Sequence, residues 1–343
     1  MAVEPLFLRD VFSTYGTEWL SEDFRKNKTV NEMNTLFLVE ECDSENGVFQ
    51  YRRDLLTGLQ CRIAPERVHR NIDVRYRPHT FHDDVPCVFC PERVRSETPV
   101  FLDGSRIIVG ESVTFPNLYP FAETHVVTVI TEAHDPAEIT ATQIEDALCG
   151  QIAALSGCDG YASCNWNYLP SSGASMLHPH MQGMADTFPT FHAGVVIERS
   201  EAFSRREGRV YRECLIEQEM DSSRYLFGDE LPFFAHAVPL GEKEVRAYLP
   251  VRCAGELEPW CGILAEGIER VISLYRGAGH YAFNMSLFFD AAGRPDKGFR
   301  AFCSLIARIN PSAAAMSDSA FMERMHFEPI VMTLPEDLAG FLP

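Results

Sequence analysis

From Gly173 to Gln182 the chain reads Gly-Ala-Ser-Met-Leu-His-Pro-His-Met-Gln, which places histidines at 178 and 180 and a glutamine at 182. On an extended strand alternate side chains share a face, so His178, His180 and Gln182 can meet in one site. A neutral, oriented imidazole such as His180 can attack phosphorus and split one difficult displacement into two in-line steps. Gln182 supplies an amide donor that can hold a non-bridging phosphate oxygen without protonating the leaving group. Gly173, Ala174 and Ser175 are small enough to let backbone amides approach a phosphate. An alternating strand with incidental histidines would account for neither the small residues in front nor the glutamine behind.

Cys87 and Cys90 have the two-residue spacing of a knuckle that binds one zinc through both thiolates, and Pro86 and Pro91 stiffen it. The same spacing suits a redox pair or two buried, reduced thiols. A closed tetrahedral site needs two more ligands, for which His134 and His178 are the candidate donors. His69, His79, His82, His192 and His236 carry no comparable context.

These residues must be positioned by strands and helices. Residues 1–45 mix apolar and charged residues in the manner of short helices. Residues 48–52 and 59–64 read as strands around a turn at Leu56-Thr-Gly; residues 105–110 and the β-branched run 125–131 follow as further strands. A helix is expected at about 137–155, behind Asp135 and Pro136. Strand, helix and strand then recur at 244–250, 256–275 and 281–289, matching 125–131, 137–155 and 160–167, so an internal duplication is expected.

The chain has 343 residues, 46% hydrophobic and 23% charged, with no apolar run near the roughly 20 residues of a membrane helix. Its start lacks the basic and apolar regions of a secretion signal, and its eleven cysteines suit reduced thiols, so a cytoplasmic protein is expected. The formal charge of −19 argues against nucleic acid as a partner, and no membrane partner is expected. A phosphorylated small molecule needs only a few local cations and amides.

Four stretches together resemble the galactose-1-phosphate uridylyltransferase family of the histidine-triad superfamily, which includes ADP-glucose phosphorylase and, more distantly, diadenosine tetraphosphate phosphorylase. They are residues 54–70, Cys87 to Pro91, residues 117–135, and residues 167–182. The resemblance implies an α+β fold of two histidine-triad-like halves, antiparallel sheets with packed helices. An extension at 1–45, a catalytic part at 46–195 and a degenerate second part at 196–343 would follow. It implies zinc on Cys87, Cys90, His134 and His178, with His180 as the nucleophile. Gln182 and Ser175 would contact phosphates, Arg67 and Arg70 would steady the phosphate chain, and Asn117 and Asn167 would hold the nucleotide. A homodimer is the family's usual state.

Hydrolytic relatives carry histidine where this chain has Gln182, which favours transfer over hydrolysis. No histidine stands in residues 281–289 or 298–308, where some relatives build a second metal site, so one metal is expected. Residues 318–328 lack the lysine and tyrosine that grip the sugar phosphate in uridylyltransferases, which points away from galactose 1-phosphate as acceptor. The leading expectation is transfer of a nucleoside monophosphate from a nucleotide sugar to a phosphorylated acceptor. A phosphorylase using inorganic phosphate and a non-catalytic nucleotide sensor are the alternatives.

Overall fold

The computed structural model describes residues 28–32, 36–44, 47–69, 87–134, 139–310 and 318–343. The first part contains β1 (Lys28–Glu32), β2 (Phe37–Ser44), β3 (Gly47–Asp54) and β4 (Gln60–Ile63). Strands thus occupy the described residues up to 44, where short helices were expected; the stretches at 7–12 and 19–24 lie outside the described residues. The physical reason is pairing: β2 runs antiparallel to β3 over its whole length, from Phe37 opposite Asp54 to Ser44 opposite Gly47.

Helix α1 (Pro91–Glu97) follows the cysteine knuckle, with a proline in its first turn, where the missing N–H costs nothing. Next come β5 (Ile107–Val109), β6 (Ser112–Pro116), β7 (Thr124–Val129), α2 (Ala141–Leu155), β8 (Tyr161–Tyr168) and β9 (His180–Asp186). Helix α2 begins at 141 rather than 137 because Thr140 caps it. Its hydroxyl accepts from Gln143 N–H at 3.3 Å, and Gln143 Oε1 accepts from Thr140 N–H at 3.0 Å.

The rest of the chain forms α3 (Phe191–Glu207), α4 (Tyr211–Glu219), β10 (Tyr225–Phe227), β11 (Phe233–Ala235) and β12 (Val245–Tyr248). Then come α5 (Cys261–Gly277), β13 (Ala282–Phe288), β14 (Phe302–Arg308), α6 (Phe321–Met325) and β15 (Ile330–Val331). No helix among the described residues is long and apolar enough to cross a membrane.

Two sheets result. A five-stranded sheet has the order β1-β2-β3-β4-β15, and a ten-stranded sheet the order β10-β11-β12-β14-β13-β8-β9-β7-β6-β5. The larger sheet is the expected duplication made visible. Three strands, a helix and two strands (β5 to β9 with α2) repeat as β10 to β14 with α5, and the copies meet edge to edge where β8 pairs with β13.

Helices α2 and α5 cover one face of this sheet over a core that includes Ile144, Leu148, Leu264, Ile268 and Trp166, each fully buried. Each such side chain contributes about 1.5–3 kcal/mol of transfer free energy. Gly267 lets α5 approach β11, since a Cβ there would lie 2.1 Å from the Phe233 ring. The opposite face differs between the copies. In the second it is packed by a cluster drawn from the smaller sheet, α3 and α4, including Phe37, Ile63, Ile197 and Tyr211 against Tyr248 and Phe302. In the first it carries His180 and its neighbours.

Candidate active site

The knuckle, the β7 exit and the β9 entry converge. Nδ1 of His178 lies 3.9 Å from Cys87 Sγ and 3.8 Å from Cys90 Sγ, and Nδ1 of His134 lies 3.5 Å from Cys90 Sγ. All four ligand atoms fall within 4.8 Å of one another. Zinc–sulfur and zinc–nitrogen bonds at a tetrahedral angle set sulfur and nitrogen about 3.6 Å apart, so the cluster has the chemistry and the spacing to hold such an ion. His178 Nε2–H donates to Thr131 O at 2.7 Å, which leaves the Nδ1 lone pair facing the sulfurs.

His178 itself lies in a bend just before β9, not on the strand as the alternation predicted. The intervening Pro179 has no N–H for a ladder, and only its carbonyl pairs, accepting from Ile130 N–H at 3.0 Å. The two histidines stay adjacent through a different link: His180 Nδ1–H donates to His178 O at 2.8 Å. A carbonyl only accepts, so the proton is on Nδ1 and the lone pair on Nε2. Burial holds the His180 imidazole below its usual pKa, against the opposing effect of that carbonyl. Phe89, inside the knuckle, packs its ring 5.3 Å from the His180 ring and 6.3 Å from that of His178, joining the metal cluster to the second histidine.

Two amides border His180. Gln182 Oε1 lies 3.0 Å from Nε2 of the buried His125. Phe121 N–H donates to His125 Nδ1 at 3.3 Å; with the His125 proton on Nε2, that nitrogen donates to Gln182 Oε1, while Asn117 Nδ2, also a donor, lies 3.1 Å from the same atom. No bond to the Gln182 amide N–H groups is made among the described residues, which leaves them able to donate to a ligand. Asn167 follows Trp166, which pairs with Met181, so Asn167 is next in register to His180. Its Oδ1 accepts from Asn284 Nδ2 at 2.6 Å, which leaves its own Nδ2 as a donor. An uncharged imidazole with two amides at neighbouring positions has the chemistry to attack a phosphoryl group.

No family model matches the chain. An uncharacterised protein of Archaeoglobus fulgidus is 27% identical over 340 residues, spanning 92% of this chain and 97% of that protein. An ADP-glucose phosphorylase from Arabidopsis thaliana with bound ADP-glucose superimposes with a TM-score of 0.67 at 15% identity, over 85% of this chain and 97% of that one. A uridylyltransferase gives 0.63 at 18% identity, over 85% and 96%. A GalT-like protein from Arabidopsis thaliana gives 0.65 at 15%, over 85% and 97%. The chain has the uridylyltransferase fold.

On the uridylyltransferase fold, the remaining expected site residues divide into those near His180 and those apart from it. Asn117 belongs with the first group: its Nδ2 is 3.1 Å from His125 Nε2, and its Oδ1 accepts from Tyr119 N–H at 3.0 Å. Ser175 is exposed in the loop before His178 and makes no side-chain hydrogen bond among the described residues. Arg67 is exposed on the 3-10 turn Pro65–His69 after β4, with no contact to the cluster among the described residues. Arg70 lies outside the described residues.

The loop between β8 and His178 is held firmly. Ser172 Oγ donates to Tyr168 O and Leu169 O, each at 2.7 Å, and Leu169 sits at φ 71, a conformation costing about 1–3 kcal/mol for a residue with a Cβ. Gly173 at φ 97 then returns the chain beside Asn167, whose Nδ2 would lie 3.7 Å from a Cβ at that glycine.

His125, Phe89, Asn284 and Asn165, whose Nδ2 donates to Gln182 O at 3.3 Å, were not singled out by the sequence reading. His125 carries no signal of its own in the sequence: it shares its strand face with Val127, and only the strand pairing sets Val127 opposite Gln182. The second copy carries different residues at the equivalent positions. Leu249 N–H donates to Ala301 O just past the Tyr248–Phe302 pair, as Ile130 N–H does to Pro179 O just past Val129–His180. Phe302 therefore stands where His180 does, and Ser304 where Gln182 does. Arg246 fills the counterpart of Val127 and is buried, its Nε 2.5 Å from Glu244 Oε1.

Proposed function

We propose that the protein is a zinc-containing nucleotidyltransferase that forms a covalent nucleotidyl-His180 intermediate. The observation that carries the reading is the His180 tautomer: Nδ1–H is committed to His178 O, which leaves the Nε2 lone pair to act as nucleophile, with the Gln182 and Asn167 amides at neighbouring positions on the sheet. His180 Nε2 attacks the α-phosphorus of a nucleotide sugar in line, a P–N bond forms, and the P–O bond to the sugar phosphate breaks with its electron pair on the departing oxygen. That group leaves as a phosphate and needs no proton. His178 O accepts a hydrogen bond from the cationic phosphoryl-imidazole, and Gln182 and Asn167 donate to the non-bridging oxygens. An oxygen of a phosphorylated acceptor then attacks the same phosphorus and the P–N bond breaks, restoring His180.

Cys87, Cys90, His134 and His178 would hold the zinc, whose part is to fix the knuckle, the His178 backbone and hence the imidazole orientation. Asn117, which touches His125, supports a role on the nucleotide, and Arg67, Arg70 and Ser175 are proposed to close on the phosphates when substrate is bound. A homodimer acting on a nucleotide-sugar donor is the assembly we propose.

Inorganic phosphate is a second acceptor consistent with the same steps, favoured by the short match of Asn-Leu-Tyr-Pro at Asn117 to plant-type phosphorylases. With ADP-glucose it would release glucose 1-phosphate and then ADP. The test is labelling with donors radioactive at the α-phosphate. Wild-type protein should retain label and His180→Asn should not; label persisting in that variant would sink the assignment. Discharge by phosphate or by sugar phosphates then identifies the acceptor, and tight nucleotide binding without any adduct would make the protein a sensor.

A further inference from the structure

The donor face of Asn167 is set from the other half of the molecule. Arg308, the last residue of β14, is paired through Nε and Nη2 with both carboxylate oxygens of Asp318, each at 2.6 Å. Its Nη1 donates to Asn284 Oδ1. Guanidinium only donates, so Asn284 must present its oxygen to Arg308 and its NH2 away from it. That NH2 donates to Ser172 O at 2.9 Å and to Asn167 Oδ1 at 2.6 Å, using both of its hydrogens. Ser172 O only accepts, so two independent constraints give the same orientation. Asn167 consequently turns its own NH2 to the side bordered by Gly173 and His180, where no protein acceptor among the described residues is bonded to it.

We infer that Arg308 is a positioning residue: through Asn284 it fixes Asn167 as a hydrogen-bond donor, so that the site accepts an anionic phosphoryl oxygen beside His180. The inference rests on the proposed nucleotidyl transfer for its ligand, and it assigns a task to the second half, which has Phe302 at the position equivalent to His180. The polarity runs one way along Asp318, Arg308, Asn284 and Asn167, and a charged, donor-only group at its head stops the two amides from flipping together. With a neutral head group only the Ser172 carbonyl would still oppose that flip, and a larger share of molecules would offer an oxygen to the phosphate.

Two substitutions of Asn284 separate this from simple packing. In Asn284→Ala the Asn167 amide is released and can still turn its NH2 to the ligand. In Asn284→Asp the carboxylate keeps the Arg308 contact but can only accept, so Asn167 must donate to it and present Oδ1 to the phosphate. Binding of AMP and UMP by calorimetry should fall less than about tenfold in Asn284→Ala, and by about tenfold or more beyond that in Asn284→Asp. Arg308→Met should weaken binding and Arg308→Lys, which also only donates, should recover most of it; melting temperatures provide the folding control. The inference is overturned if Asn284→Asp binds as well as Asn284→Ala, or if the wild type binds neither nucleotide. Radiolabelling run beside it keeps the two ideas apart. A wild type that binds AMP or UMP with the expected order of variants but never labels supports the relay and defeats the covalent reading.

Discussion

Gln182 Oε1 and His125 Nε2 are 3.0 Å apart, and the backbone N–H of Phe121 on the far side of the imidazole favours the proton on Nε2. With that proton on Nε2, Gln182 turns its amide N–H groups toward the site. His125→Leu should release the amide and slow formation of the His180 adduct by about a hundredfold, the scale for losing one oriented donor. Single-turnover labelling measures it, and a rate equal to wild type would show that Gln182 is held by other means.

The metal cluster should report on folding as well as on reaction. Purified protein is expected to hold about one zinc per chain by elemental analysis. Chelation should lower the melting temperature, because an ion bound only by the folded state adds to its stability. Cys87→Ser and Cys90→Ser should reproduce both losses, and a melting curve indifferent to chelator would remove zinc from the account.

A different stability test lies in the second half. Glu244 and Arg246 are both buried, joined at 2.5 Å, and Ser304 Oγ donates to the same carboxylate at 2.6 Å. Removing one partner strands a buried charge, so Glu244→Ala should cost about 3–5 kcal/mol in urea unfolding. Since this pair sits away from His180, label incorporation by the folded fraction should be unchanged.

Acid should unfold the protein partly through two buried histidines. Burial, with Arg246 nearby, pushes His192 down from 6.5 to about 4, and burial with Arg246, His192 and Arg224 holds His236 well below its usual value. The unfolded chain takes up these protons first. The stability they contribute is therefore complete above pH 6.5 and is lost as the pH falls toward 4. Melting temperature should drop between about pH 7.5 and about pH 5, and His192→Phe should flatten that drop. An equally steep fall in the variant would place the acid sensitivity elsewhere.

Local pattern carried much of the site. Cys87 and Cys90 are close because they are three residues apart, and His178 and His180 adjoin for the same reason; neither needs a folded sheet. The β-branched run before residue 131 and the Thr140–Gln143 cap are equally local, so β7 and most of α2 could be read from composition and spacing. The strand assigned to His178 was misread because Pro179 interrupts the ladder that alternation assumes.

What sequence alone determined is therefore the chemistry available: a thiolate pair, an alternating histidine pair, a glutamine two residues beyond them, and an internal repeat. Which groups meet was decided by tertiary structure, since strand order is set by packing between distant segments and leaves no periodicity to read. His125 reaches Gln182 across 57 residues, Asn284 reaches Asn167 across 117, and Arg52 reaches Glu336 across 284. The pairing of β8 with β13 did the most, because it set an arginine of one half behind an asparagine of the other. Hydrogen-bond polarity travels only through such contacts, so the donor face offered beside His180 exists in the fold and not in the order of residues.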